Sequence, residues 1–197
     1  MAFERHARRS SGVGALYWLL ALVCAPIVVW GEDESSSHFV VRSAEIVQVE
    51  KIYRLSAVVD YRFSAPALEA LHNGVPLVVE LVIEIDRPRE YVWNETVATL
   101  RQRYQLEFEA LTNRYGVTNL NSGAQSHYPT RAMAIASMGH VFDIPILDAD
   151  LLDPEQSYTA RLQASLDLNA LPVPLRLIGY FSAAWRVSSE WYTWTLR

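Results

Sequence analysis

Four stretches of this chain alternate apolar and polar residues at every second position. That period forces extended strands, each with one dry and one wet face. Tyr53, Leu55, Ala57, Val59, Tyr61 and Phe63 share one side, opposite Arg54, Ser56, Asp60 and Arg62. Leu77, Val79, Leu81, Ile83 and Ile85 stand opposite Glu80, Glu84 and Asp86. Leu100, Tyr104, Leu106, Phe108 and Ala110 alternate with Arg101, Arg103, Gln105, Glu107 and Glu109. Tyr158 through Leu168 does the same with Thr159, Arg161, Gln163, Ser165 and Asp167. One-sided strands of this kind pair as antiparallel sheets that hide one face and wet the other.

Weaker strand signals fill the intervals. Phe39–Glu50 is β-branched but poorly phased. Tyr115–Leu120 and Ala124–Tyr128 flank Asn121-Ser122-Gly123, a short hairpin loop. Val141–Leu147 contains Pro145, which suits a sheet edge, and Val187–Leu196 closes the chain. Helices are few. Ser64 can cap a short helix through His72, with Pro66 in its first turn and Gly74 at its end. Thr130–Met138 stops at Gly139, and the stiff Leu171-Pro172-Val173-Pro174 leads to a helical turn at Leu175–Phe181. The expected fold is mainly β: one antiparallel β-sandwich, Ig-like or a partly open barrel, with two or three short helices.

A different pattern precedes this domain. Arg5, Arg8 and Arg9 lead into an uncharged, mostly apolar run from Val13 to Trp30, followed by Gly31-Glu32-Asp33-Glu34-Ser35-Ser36-Ser37. Positive charge, hydrophobic run, then anions is the layout of a segment that enters a membrane with its N-terminus in the cytoplasm. The run lies between the length of a signal peptide core and that of a spanning helix. Pro26 and Val29-Trp30-Gly31 favour cleavage, whereas Trp30 would equally anchor at an interface. The expected organisation is a signal peptide or anchor over 1–31, a flexible tether over 32–38 and the β domain over 39–197. The domain is thereby placed in the cell envelope: in the periplasm, either secreted or tethered to the inner membrane by residues 13–30.

Charge and cysteine usage then narrow the chemistry. Without residues 1–31 the chain loses three of its 17 cations and one of its 22 anions, leaving a net charge of −7. Such a domain does not suit nucleic acid, and membrane contact is expected through the N-terminal segment only. Cys24, the single cysteine, lies inside the apolar run, where Val23 before it disfavours lipidation. The domain itself therefore has no disulfide, thiol nucleophile or thiolate metal site.

Motif by motif, no catalytic residue, metal site or cofactor is expected. Gly-x-Ser-x-Gly, Ser-x-x-Lys, His-Glu-x-x-His and phosphate-cradling glycine loops are missing from the sequence. His38, His72, His127 and His140 are the only imidazoles past the apolar run. Asp143, Asp148, Asp150, Asp153 and Glu155 have oxygen-ligand character without calcium-loop spacing, and read better as turn formers. Asn94-Glu95-Thr96 matches a glycosylation acceptor that matters only in a eukaryotic secretory route.

Two groups have binding character. Arg87, Arg89, Tyr91 and Trp93 lie beside a strand end, with Arg101 and Arg103 projecting from the next strand. The plainer reading pairs these arginines with Glu84, Glu107 or Glu109 across strands. Trp185, Trp191, Tyr192 and Trp194 form the second group, of which a core role for most is the plainer reading. Trp191 and Trp194 are an odd number apart, so a regular strand cannot turn both to one face. The candidate binding residues are thus Arg87, Arg89, Trp93, Arg101, Arg103, Trp191 and Trp194.

The chain resembles a bacterial family of envelope proteins built on domain of unknown function 4390. The resemblance rests on Ala70–Leu77, Glu95–Tyr104, Tyr115–Gly123, Leu171–Arg176 and Ala184–Trp194, and covers roughly residues 40–197. It implies a Gram-negative source and an N-terminal signal or anchor, and carries over no catalytic residue. Members occur near sensor kinases and a ribosomal RNA methyltransferase, a loose association. The expected function is a non-catalytic protein-binding or adaptor domain, its partner an envelope protein such as a sensor kinase. The alternatives are a carbohydrate or peptidoglycan binder and a hydrolase with a His/Asp site.

Overall fold

In the computed structural model, alternation becomes two antiparallel sheets whose dry faces join one core. The structure describes residues 37–89 and 94–196, all within one compact unit, 35–197. The expected signal or anchor over 1–31 and most of the tether lie outside the described residues, as does Trp93. No helix among the described residues is long and apolar enough to cross a membrane.

The smaller sheet has three strands in the order β1-β2-β7: β1 His38–Val49, β2 Ile52–Arg62 and β7 His140–Asp148. The larger has six, in the order β6-β5-β4-β3-β8-β9. These are β3 Leu77–Arg87, β4 Glu95–Glu109, β5 Arg114–Asn119, β6 Gln125–Tyr128, β8 Tyr158–Leu166 and β9 Tyr192–Leu196. Every pairing is antiparallel. Among the described residues neither sheet closes into a barrel.

β1 looked poorly phased for a reason. Its register against β2 slips between Val41 and Ser43. Phe39 and Val41 point into the core before this bulge, and Ala44 and Ile46 do so after it. One extra residue moves the apolar set from odd to even positions. The strand begins at His38, one residue inside the stretch read as tether. β7 takes the edge position that Pro145 demands, and a second irregularity there leaves Asp143 at φ 55°.

Three helices complete the fold: α1 Ala65–His72, α2 Arg131–Gly139 and α3 Val173–Phe181. The Ser64 hydroxyl caps α1 by accepting from the Ala67 amide at 3.3 Å. Thr130 caps α2 by accepting from Met133 at 3.3 Å. α2 packs against β2 and β5, bridging the two sheets. Its C-terminal Gly139 is pressed on the backbone of Val59, where a Cβ would overlap the carbonyl oxygen. Leu55, Leu81, Leu106, Met138 and Leu162, drawn from both sheets and α2, are all within 1% of full burial.

The last strand is shorter than expected. Val187–Trp191 does not join the ladder but follows β8 irregularly, with Ser188 bridging Ser165. Ser189 adds side-chain bonds to a backbone one: its amide donates to the Ala164 carbonyl at 2.8 Å, and its hydroxyl accepts from the Ala164 amide at 3.0 Å and donates to the Glu190 carbonyl at 2.8 Å. Ala110, expected on the dry side of β4, is exposed in the turn that follows.

Candidate functional site: an edge groove beside a paired-charge face

The wet face of the six-stranded sheet gathers most of the candidate arginines, and each is already held. Arg101 Nη1 lies 2.9 Å from Glu80 Oε2, and Arg103 Nη2 lies 2.8 Å from Asp167 Oδ2. Arg87 and Arg89 both grip Glu95. Their hydrogen bonds, Arg87's first and Arg89's second, hold the Glu95 carboxyl below the usual carboxylate range. Ion pairing is therefore the outcome, but not with the partners expected. Glu84 belongs to Arg161 instead, at 2.5 Å. Glu107 accepts from Gln105 and Gln125, and Glu109 from Thr112 and His127. Register decides this: Arg161 stands directly opposite Glu84 and Arg87 directly opposite Glu95, whereas Arg101 reaches Glu80 one step along the diagonal.

Arg161 is the residue that sequence reasoning passed over. It reaches Glu84 and, through Nε at 3.0 Å, the buried Asp86, whose other oxygen accepts from Thr96 at 2.7 Å. Its guanidinium carbon lies 4.8 Å from the centroid of the Trp191 ring. A cation so fixed holds the indole by cation–π attraction. The alternation Tyr158–Leu168 placed Arg161 on the wet face; only the fold shows that Trp191 lies over it.

The tryptophans separate as the odd spacing requires. Trp191 is 39% exposed, Trp185 is buried, and Trp194 is half-buried against Tyr192 at 5.7 Å between centroids. Trp191 then forms one wall of a groove of about 290 Å³. Its lining is His38–Val41, at the start of the edge strand β1, and Ser188–Tyr192. Among the described residues β1 pairs with β2 alone, so the outer side of Phe39–Val41 presents main-chain donors and acceptors. The groove is open and smaller than an ordinary small-molecule pocket. It fits one or two side chains of an extended chain.

A second cleft, of about 270 Å³, is lined by Gln102, Asn119, Asn121, Ser122, Asp143, Ile144 and Pro145. Its polar groups are largely engaged. The Asn119 side chain accepts from the Asn121 and Ser122 amides, Asn121 bonds the backbone of Arg101 and Arg103, and Arg54 holds Asp143 at 2.8 Å. No aromatic ring lines it.

The histidines take local partners. His72 stacks on Phe108 at 5.1 Å, and His140 Nδ1 lies 2.8 Å from the Ala136 carbonyl. His127 Nε2 lies 2.7 Å from Glu109, whose other oxygen accepts from Thr112 at 2.8 Å. The Thr112 bond, then that of His127, holds the Glu109 carboxyl low. The order hydroxyl–carboxylate–imidazole puts the acid against the hydroxyl, whereas activating a nucleophile requires the base there. The acidic stretch forms turns: Asp148 accepts from the Asp150 amide and Asp153 from that of Glu155, both at 3.0 Å. Among the described residues no three metal-binding side chains converge.

Neither a search of the curated proteins nor one of the solved structures returns a match. The model of a domain of unknown function, DUF4390, matches residues 36–195, which takes in both sheets, all three helices and the groove. The chain therefore belongs to the DUF4390 family.

Proposed function

We propose that this is an exported, non-catalytic binding domain of the bacterial envelope, a sandwich-like fold that takes an extended segment of a partner protein along β1. One observation carries the reading: β1, an edge strand among the described residues, lines a groove together with an exposed tryptophan. A peptide strand laid there would pair with the outward main-chain groups of Phe39–Val41, and a side chain would fill the space against Trp191. Aromatic walls held by a fixed cation are common anchors of protein contacts. The N-terminal layout of positive charge and apolar run supports export or inner-membrane tethering, which would bring the groove to envelope partners. Sugar stacking fits less well. One face of the Trp191 ring already carries Arg161, and the amide-lined cleft has no ring to offer.

Selection of random peptides displayed against the full chain tests the reading. Selected peptides should slow amide hydrogen exchange within Phe39–Val41 and lose affinity on Trp191→Ala, with Val47→Ala on the far end of β1 as the control. Peptides that protect other strands, or that bind Trp191→Ala as well as the native chain, refute it.

A further inference from the structure

Helix α3 turns its apolar side outward. Val173, Leu177, Ile178, Tyr180 and Phe181 are 64, 60, 54, 49 and 87% exposed. With successive residues ~100° apart, these five and Pro174 share a continuous arc of roughly 160°. The opposite side packs inward: Gly179 is buried against Leu168, Leu171 and Trp185. A surface helix normally presents its polar side to water. Here no polar side exists to present, apart from Arg176, which is half-buried and donates to the Leu171 carbonyl at 3.0 Å.

The charge around the helix points to what covers it. From Leu168 to Ser189 there is no aspartate or glutamate, although the chain as a whole carries −5. Arg176 and Arg186 are the only charged residues in that stretch. An apolar ridge ending in Tyr180-Phe181, in a stretch of chain that carries two cations and no anions, complements the boundary between headgroups and acyl chains of an anionic bilayer. Tyrosine suits that depth because its ring is apolar and its polar tip is satisfied: the Tyr180 hydroxyl donates to Asn169 Oδ1 at 2.7 Å. Nine residues rise about 13.5 Å, too little to cross a bilayer, so the helix would lie in the surface plane.

We propose that α3 docks the folded domain on a lipid bilayer, with Val173, Leu177, Ile178 and Phe181 sunk below the headgroups. This contact is separate from the N-terminal apolar run and from the β1 groove, and depends on neither. It also gives the net-negative domain a segment, 168–189, that brings no anion of its own to an anionic surface.

The test uses the full chain with its single cysteine moved. In a Cys24→Ser background, Leu177→Cys, Phe181→Cys and, as control, the exposed Val47→Cys are labelled with an environment-sensitive fluorophore. Each is reconstituted into vesicles of equal parts phosphatidylethanolamine and phosphatidylglycerol. Labels at 177 and 181 should shift to the blue and be quenched by lipids carrying spin labels near the headgroup about threefold more than the label at 47. Equal quenching at all three positions overturns the proposal. So does a blue shift at 177 and 181 that fades on dilution into excess lipid, since that identifies a second protein copy as the occupant.

Discussion

Removing a single oxygen from Tyr61 should make the protein more stable, and increasingly so in alkali. The ring is 6% exposed, held edge-on by Phe39 at 4.9 Å, and its hydroxyl has no hydrogen-bond partner among the described residues. An unsatisfied buried hydroxyl costs about 1–3 kcal/mol. Tyr61→Phe abolishes that cost and loses the oxygen's dispersion contacts, about 0.5–1 kcal/mol. The net gain at pH 7 is about 1 kcal/mol, or ~2–4 °C in Tm for a chain of this size. Burial, with the neighbouring Tyr104 adding to it, pushes the Tyr61 phenol well above its ordinary value. The folded chain thus keeps a proton that the unfolded chain releases above pH ~10. That contribution to stability is complete below pH 10 and is lost as pH rises, by about 1.4 kcal/mol per unit. The variant lacks this loss, so its advantage should grow to about 2–2.5 kcal/mol at pH 11. Urea denaturation of the full chain in mild detergent, followed by tryptophan fluorescence at pH 7, 9, 10 and 11, reads both effects. A variant weaker than native at pH 7, or an advantage constant through pH 11, would show that the hydroxyl is hydrogen-bonded or wet.

Gly139→Ala should destabilise by about 1–3 kcal/mol in the same assay, because the added methyl overlaps the Val59 carbonyl and must push α2 off β2. Ala136→Gly, at an exposed position of α2, should cost only about 1 kcal/mol, so equal losses would deny the close approach. Arg161→Ala strands the buried Asp86 and should cost about 2–3 kcal/mol. It should also broaden the Trp191 indole resonance in NMR spectra, and an unchanged resonance would mean that the cation does not hold the ring. Glu95, depressed by Arg87 and Arg89, adds stability above its unfolded value that disappears as pH falls through the lowered folded one. Glu95→Gln should therefore flatten the acid limb of the stability profile, checked by denaturation between pH 5 and pH 2.

Much of the architecture was legible because its physics is local. Alternation in Leu77–Ile85 and Tyr158–Leu166 names the buried side chains directly, since pleating sends neighbours to opposite faces. Ser64 and Thr130 cap the helices they precede, and Pro145 occupies an edge, because each choice is made within a few residues. Phe39–Glu50 resisted phasing since its bulge is imposed by the partner strand. The arginines announced themselves as candidates, yet their carboxylate partners come from up to 64 positions away. α3 was legible only as a helical turn at Leu175–Phe181, and the packing of Gly179 alone shows which side is turned out.

By itself, then, the sequence determined a one-sided β domain without cysteine, the positions of its caps and loops, and the spacing that keeps Trp191 and Trp194 on different faces. These follow from backbone geometry and side-chain chemistry that act over short range. Tertiary structure alone decided that β1 ends beside Ser188–Tyr192 to form a groove, that Arg161 holds Trp191, and that α3 carries its apolar face to the surface. Those outcomes depend on which edges and faces of two sheets meet, and that is settled by burial of the whole core rather than by any one segment.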